Sequence, residues 1–368
     1  MALIKASRDA VLRPLQIVAG IADKKSTMPI VANVLIRKEA ENVSFVATDT
    51  ELQITTSAAL GGAAANAAIT VSARKLIEVL RLLPDSVEVS LGLQGSRASI
   101  QAGRSRIALQ TMPADDFPEL TMDEVCEAEF SLSQRSFRHL LHMVHFAMAQ
   151  QDVRYYLNGM LIVTEGKQLK AVATDGHRLA YFELEIEGEL PRLDLILPRR
   201  TVNELLRLLS ESEDVIRLEI FPTRLRLRFG AIEMVSKLVE GKFPDYERVI
   251  PKGHHRKAQI ERQALVASLN RAAVVTTEKS KGVRLSFSKD QLAVQTRNAD
   301  QEEVNDELSI VYDSDEVEIG FNLHYLSEVF SQLQSEEVIV SLRDGASSAL
   351  VCMPDTESFR YVVMPMRI

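Results

Sequence analysis

The chain of 368 residues has little of what staples or catalyses. Its two cysteines, Cys126 and Cys352, lie far apart with no spacing partner, so they read as isolated reduced thiols rather than a disulfide or metal pair. It has no Gly-x-x-x-x-Gly-Lys loop, no Gly-x-Ser-x-Gly elbow, no metal-spaced His/Cys cluster and no dinucleotide glycine fingerprint. Those absences remove the usual carriers of nucleotide, hydrolase and oxidoreductase chemistry, and no cofactor is expected. No segment approaches the ~20 apolar residues that span a bilayer. The first residues show no basic stretch followed by an apolar run and a small-residue cleavage site. Cytoplasmic residence is the expectation.

What the chain does have is repetition. Val46-Ala47-Thr48-Asp49 returns as Val172-Ala173-Thr174-Asp175, an interval of 126 residues. Leu80-Arg81-Leu82-Leu83 returns as Leu206–Leu209, and Phe117-Pro118 as Phe243-Pro244, at the same interval. A fainter third echo, Val294-Gln295-Thr296-Arg297, follows 122 residues later. Three such periods come to 378 residues, close to the 368 present. A period of this length matches whole domains rather than solenoid units, and a chain this long exceeds the roughly 250–300 residues that one core serves. The expected domains are 1–126, 127–253 and 254–368, with junctions near 121–128 and 251–258. The second junction, Pro251-Lys-Gly-His-His-Arg-Lys257, reads as a solvated connector rather than a metal site at His254 and His255.

Each copy opens with an apolar stripe at helical spacing: Val11, Leu12, Leu15, Val18 and Ala19 behind Ser7; Phe137, Leu140, Leu141, Val144 and Met148 behind Ser133; Leu265, Leu269 and Ala272. Pro14 predicts a late start or a kink. Extended runs follow over 42–55 and 168–185, each broken by a Thr-Asp turn. A second helix is predicted around Leu76, Val79, Leu80 and Leu83, around Val202, Leu205, Leu206 and Leu209, and around Leu323, Leu326, Phe330 and Leu333. Alternating strands come after it, the cleanest being Thr223–Phe229 with Arg224, Arg226 and Arg228 on one face. Gly61–Asn66 reads as a loose hairpin loop. The fold class is α+β: three helix–strands–helix–strands modules with antiparallel sheets covered by helices on one side.

The chain carries a net charge of −8, which argues superficially against a polyanionic partner. Its distribution argues the other way. The six helical stretches 8–20, 74–83, 134–148, 199–209, 261–272 and 322–333 together carry +7, and the remainder −15. Only 322–333 is negative. If those helices share a surface, it attracts phosphates while the exterior repels them.

Four separated segments then carry a resemblance. Gln151–Met160 (QDVRYYLNGM), Ala173–Ala180 (ATDGHRLA), Lys242–Tyr246 (KFPDY) and Tyr361–Ile368 (YVVMPMRI), in this order on a threefold repeat, closely resemble the bacterial DNA polymerase III beta subunit, the replicative sliding clamp family. The resemblance spans essentially the whole chain. It implies a head-to-tail homodimeric ring of six modules, with twelve helices inside and continuous sheets outside. It also implies a non-catalytic role: encircling duplex DNA and tethering the polymerase III alpha subunit, the clamp loader and other proteins with a clamp-binding motif. No membrane is involved. DNA contact would go to the backbone and be interchangeable, because a clamp must slide.

By similarity, the DNA-facing candidates are Gln16, Lys25, Arg74, Arg81, Gln151, Tyr155, Tyr156, Arg199 and Arg200. Lys25 stands where the family often has arginine, which keeps the charge and loses the fork. Tyr155 and Tyr156 also admit a core-packing reading. The resemblance places a partner-peptide pocket at Arg154, Thr174, Gly176, His177, Arg178, Leu179, Pro244, Arg248, Val249, Ser348, Val362, Val363, Met364, Pro365, Met366 and Arg367, where flexible methionine suits varied partners. Short extended peptides with a leucine–phenylalanine end would dock there. The tail also reads as a closing strand. The dimer contact would join Lys75, Arg97, Arg104, Arg106, Ile107 and Leu109 to Val274, Val275, Asp300, Glu302, Glu303, Asp306 and Glu307, with charge setting register.

Rival readings have distinct signatures. Asp175 and His177 share a face of an extended segment and offer an acid–base pair to an enzyme. A site-specific regulator would need a recognition helix dense in Arg, Asn and Gln, whereas these helices are rich in leucine. A third alternative is a sequence-nonspecific DNA-binding scaffold without ring closure.

Overall fold

The computed structural model describes residues 2–22, 27–122, 124–277, 281–354 and 356–368. One pattern of elements occurs three times. The first copy runs β1 (Ala2–Ser7), α1 (Arg8–Val18), β2 (Asn33–Glu39), β3 (Asn42–Thr48), β4 (Leu52–Ala59), β5 (Ala67–Ser72), α2 (Ala73–Leu82), β6 (Glu88–Gln94), β7 (Arg97–Ala102) and β8 (Ser105–Met112). The second runs β9 (Ala128–Ser133), α3 (Gln134–His142), β10 (Gly159–Thr174), β11 (Arg178–Pro198), α4 (Arg199–Leu208), β12 (Val215–Ile220), β13 (Arg224–Phe229), β14 (Ile232–Lys237) and the short α5 (Tyr246–Val249). Here β10 fuses the counterparts of β2 and β3, and β11 those of β4 and β5. The third runs β15 (Arg256–Glu261), α6 (Arg262–Ala273), β16 (Gly282–Ser288), β17 (Gln291–Arg297), β18 (Glu303–Ser309), β19 (Val317–Asn322), α7 (Leu323–Gln332), β20 (Glu337–Leu342), β21 (Ala349–Cys352) and β22 (Phe359–Val363).

The chain forms two compact units, Met1–Arg135 with Arg207–Leu238, and Ser136–Leu206 with Val239–Ile368. In the first, twelve strands make one sheet in the order β1-β6-β7-β8-β5-β2-β3-β4-β14-β13-β12-β9. The second holds a six-stranded sheet, β10-β11-β22-β21-β20-β15, and a four-stranded one, β18-β17-β16-β19. All the described pairings are antiparallel, as period-two strands joined by short turns require. The helices bury their apolar stripes on these sheets: α1 packs on β3, β4 and α2, and α6 on α7, β17 and β18.

The repeated tetrapeptide has a local structural cause. In the first copy Thr48 Oγ1 donates to the Leu52 carbonyl (3.0 Å) and accepts from Thr50 N, while Asp49 Oδ1 accepts from Glu51 N and Leu52 N. In the second, Thr174 Oγ1 donates to the Arg178 carbonyl (2.5 Å) and accepts from Gly176 N, while Asp175 Oδ1 accepts from His177 N and Arg178 N. Thr50 and Gly176 both turn the chain with positive φ, 77° and 89°. Threonine and aspartate side chains thus complete the same tight turn twice.

The two junctions between copies are also alike. β4 pairs with β14, setting Ile54 opposite Met234 and Leu52 opposite Ser236. Its counterpart β11 pairs with β22, setting Ala180 opposite Tyr361 and Arg178 opposite Val363. Each copy therefore joins the next by its fourth strand against the neighbour's last, in one register.

Some expectations are corrected. α1 begins at Arg8, directly after the Ser7 cap, and carries the buried Pro14 inside it, so the start is not late. The second copy's first helix stops at His142, where His145 Nδ1 lies 2.9 Å from the His142 carbonyl, and Val144 and Met148 fall beyond it. Gly61–Asn66 is not a hairpin loop, because β4 and β5 are not neighbours; Gly61 bridges to Ile4 and Gly62 N donates to the Leu3 carbonyl. The arginine face of β13 is as read: Arg226 grips Glu219 with two bonds (2.7 and 2.6 Å), and Arg228 meets Glu233 at 2.7 Å.

Candidate functional site

An apolar cleft of about 190 Å³ opens in the second unit. Its floor comes from two adjacent strands, where Leu179 of β11 and Val362 of β22 stand opposite one another, each almost fully buried. The ladder continues one step past β22, with Met364 N donating to the His177 carbonyl, so Met364 reaches the rim and stays 44% exposed. Pro244, just before α5, and Val249, its last residue, form one wall. The other comes from the loop before β10, with Arg154, Tyr156 and Leu157. That loop is pinned by Asp152, whose carboxylate accepts from Arg154 N, Nε and Nη2. Hydrogen bonds from Arg154 pull the Asp152 carboxyl down to about 2. Gly176 is required here twice over: its φ is positive, and a Cβ would stand 3.0 Å from both terminal nitrogens of Arg154.

Beside the cleft lies a buried cation. Arg178 donates through Nε to Asp175 (3.1 Å), through Nη1 to Glu328 and through Nη2 to the Phe146 carbonyl (2.7 Å). Its guanidinium lies 4.4 Å from the Tyr325 ring centre, and that ring in turn stacks with His177. Burial alone would lower the Arg178 pKa; Tyr361, Glu328 and Asp175 outweigh it and hold it above the usual arginine value. Burial raises Tyr361 and Tyr325 as well. Both Asp175 carboxylate oxygens are thus engaged, Oδ1 by the amides of the turn and Oδ2 by Arg178.

Of the sixteen pocket candidates, ten line this cleft: Arg154, Thr174, Gly176, His177, Arg178, Leu179, Pro244, Val249, Val362 and Met364. Six do not. Arg248 points out, paired with Asp245 at 2.9 Å. The Ser348 carbonyl accepts from His254 Nε2. Val363 alternates with Val362 and is buried on the opposite face. Pro365, Met366 and Arg367 leave with the tail: Met366 N donates to the Gly320 carbonyl, and Ile368 packs where Gly282 and Gly320 lack side chains. Tyr156 and Leu157 line the cleft without having been assigned to it. The aromatic pair divides, Tyr155 being 58% exposed while Tyr156 packs on the core beneath the cleft.

The equivalent place at the first junction is polar instead. Lys237 N donates to the Glu51 carbonyl, as Met364 N does to His177, but there the side chains Lys237 and Glu51 form an ion pair at 2.9 Å. Gln53 replaces Leu179 and accepts from Leu120 N through Oε1. Polar side chains stand where the second junction offers apolar floor.

The remaining candidates are spread over surfaces. On the first unit Gln16 is half-exposed on α1, and Arg74 and Arg81 are exposed on α2 around a hollow with Ala19, Ala22, Ala32 and Ala73. Arg74 pairs with Glu78 at 2.6 Å. Lys25 lies outside the described residues. On the second unit Gln151 and Arg200 are exposed, but Arg199 is half-buried and donates to the Met148 carbonyl (2.8 Å), and burial lowers its pKa. The helical charge count also overstates the field. Arg8, Arg135 and Arg271 are paired with Asp85, Glu213 and Asp306, acids that lie outside the helices.

Two of the strands that carry interface candidates, β8 and β18, have an incompletely paired edge. Ile107 and Leu109 are half-exposed on β8, which pairs with β7 over Ser105–Gln110 and with β5 only at Thr111 and Met112. Arg97 on β7, Arg104 and Arg106 at the β7–β8 turn and the start of β8, and Lys75 on α2 are exposed. β18 carries Glu303 and, among the described residues, pairs only with β17. Asp300 is exposed, Glu302 accepts from Asn298 Nδ2, Val274 is 82% exposed and Val275 half-exposed.

Three family models match in sequence: the N-terminal domain of the DNA polymerase III beta subunit over residues 3–121, the central domain over 131–245 and the C-terminal domain over 247–367. The chain is 41% identical over 365 residues to the beta sliding clamp of Pseudomonas aeruginosa, covering 98% of each, and 41% identical over 361 residues to that of Escherichia coli K12, again 98% of each. The crystal structure of the P. aeruginosa DNA polymerase III subunit beta superposes with a TM-score of 0.95 at 40% identity, over 99% of this chain and 100% of that one. A sliding clamp of the same organism bound to griselimycin gives 0.95 at 40% identity, over 99% of each chain.

Proposed function

The chain belongs to the DNA polymerase III beta subunit family, and from that premise we propose how its edges, helices and cleft make a sliding clamp. It is a non-catalytic processivity subunit: it encircles duplex DNA and tethers the replicative polymerase. The observation that carries the account is the repeated junction. Two of the three modules hand their fourth strand to the next module's last strand, in one register. The third module's fourth strand, β18, and the first module's last strand, β8, are the same two partners without each other.

Transferring the register sets Ile107 of one subunit opposite Val304 of the next, with Ala108 opposite Glu303 and Ser105 opposite Asp306. The join is heterologous, so it closes only by rotation, and two subunits of three modules make a six-module ring. Arg104 and Arg106 then lie beside the acidic strand, where opposite charge sets orientation and the half-exposed Ile107, Leu109, Val304 and Leu308 supply apolar contact.

Exposed basic side chains such as Arg81 and Arg200 face phosphates without reading bases, which permits sliding. We assign the ten lining residues, with Tyr156 and Leu157, to docking the leucine–phenylalanine ends of polymerase and loader segments. A dimer has two such clefts, so partners gain by multivalency. Module boundaries are placed near 126 and 253, in irregular chain before β9 and β15. No helix among the described residues is long and apolar enough to cross a membrane, and we place the protein in the cytoplasm.

Loaded on a nicked circular duplex, the protein should remain bound through gel filtration at high salt, and fall off once the circle is cut. Equal retention on circle and linear DNA would support a scaffold without closure instead.

A further inference from the structure

Stretch 322–333 is the single negative one among six otherwise basic helical stretches, and Glu328 is its only acid. The structure gives this residue an occupation. Its carboxylate meets Arg178 Nη1 and stands 3.4 Å from His324 Nε2, one helical turn away. Its field also reaches Arg199 and His145. Glu328 lines no part of the cleft, yet Arg178 does, with only 7% of its side chain exposed.

We propose that Glu328 is a positioning residue for the partner cleft: it fixes the Arg178 guanidinium, and through it the turn that carries Gly176 and His177. The chain of contacts is continuous. Arg178 Nε holds Asp175 Oδ2, and Asp175 Oδ1 holds the amides of His177 and Arg178. The Asp175 carbonyl accepts from Arg154 Nη2, which ties in the opposite wall. Nη2 of Arg178 holds the Phe146 carbonyl, and three residues on, Ala149 N donates to the Leu157 carbonyl beneath the cleft. A guanidinium this buried needs its counter-charges; deprived of one, it rotates toward the other or draws in water, and either movement drags the turn. α7 belongs to the third copy and the turn to the second, so the cleft's shape depends on both.

This inference rests on the cleft being the docking site. It is tested with a fluorescein-labelled peptide ending in leucine–phenylalanine, titrated by anisotropy against the full-length protein. Glu328→Gln, which keeps the shape and removes the charge, should weaken binding roughly tenfold, the range expected of a residue acting through a packed network. Glu328→Asp should recover part of the loss, and His324→Ala, an exposed neighbour, should change little. The Arg178 Nε–H resonance in NMR should shift in Glu328→Gln and return toward its place in Glu328→Asp. Wild-type affinity and an unmoved resonance in Glu328→Gln would overturn the proposal. If the wild-type protein binds no such peptide, the docking assignment fails, while the resonance still reports whether Glu328 holds Arg178.

Discussion

Ile107→Asp should convert the dimer to a monomer at micromolar concentration, measured as a halved mass by light scattering or sedimentation. Ile107 sits on the β8 edge, half-exposed in the single chain, and the transferred register sets it opposite Val304. A carboxylate there is buried against an apolar neighbour and lies across the join from Glu302, Glu303 and Asp306, so it adds repulsion, while the adjacent Arg106 alternates to the other face of β8. Leaving a buried charge unpaired costs about 3–5 kcal/mol. A closed dimer contains two identical joins, so the cost is incurred twice, about 6 kcal/mol at the low end, a factor above 10⁴ in the dissociation constant. The monomer should keep its fold, since Ile107 is opposite Ile100 only within its own sheet. Leu82→Asp, at the exposed end of α2 (87% exposed), makes a fair control and should leave the mass unchanged.

Leu179→Ala should weaken binding of the leucine–phenylalanine peptide about 30-fold while the dimer mass stays the same. Leu179 is the centre of the cleft floor, 2% exposed and facing Val362 across the ladder. Truncation removes apolar surface that a docked side chain covers and leaves a void beneath it, together about 2 kcal/mol. Met364→Ala, on the rim, should cost less, about 1 kcal/mol. Removing Met366–Ile368 should act differently: Ile368 packs against Gly282 and Gly320 on the four-stranded sheet, so the loss appears in Tm before it appears in peptide affinity. A truncation that abolished peptide binding with unchanged Tm would return those residues to the cleft.

The contrast shows what sequence can carry. The modular plan was legible because each copy repeats its landmarks at one spacing, and apolar stripes predict helices from neighbours three and four residues apart. The cleft's floor and turn were legible through the resemblance, carried by ATDGHRLA. What was not legible depends on pairings between distant residues. Nothing local says that Gly61–Asn66 joins two strands that are not neighbours, or that the chain leaves the cleft after Met364 to cover Gly320. Tyr155 and Tyr156 are adjacent and alike, and only the short turn at Tyr155–Leu157 sends one outward and the other to the cleft. Arg199 counts as a surface cation in sequence, yet it is bonded to the Met148 carbonyl. Charge counts see residue types and not partners, so they miss Asp85, Glu213 and Asp306, each brought to its arginine by the fold.

The claim beneath the whole account is that the two outer strands join as the inner ones do. It is tested by placing Ile107→Cys and Val304→Cys in one chain, with Cys126 and Cys352 replaced by serine, and oxidising the purified protein. Directly opposed residues in an antiparallel ladder have Cα atoms about 4.5–5.5 Å apart, within reach of a disulfide. A single covalent band at twice the subunit mass, reversed by reductant, is the predicted result. A ladder of higher polymers, or monomer alone with both thiols still free, would contradict it.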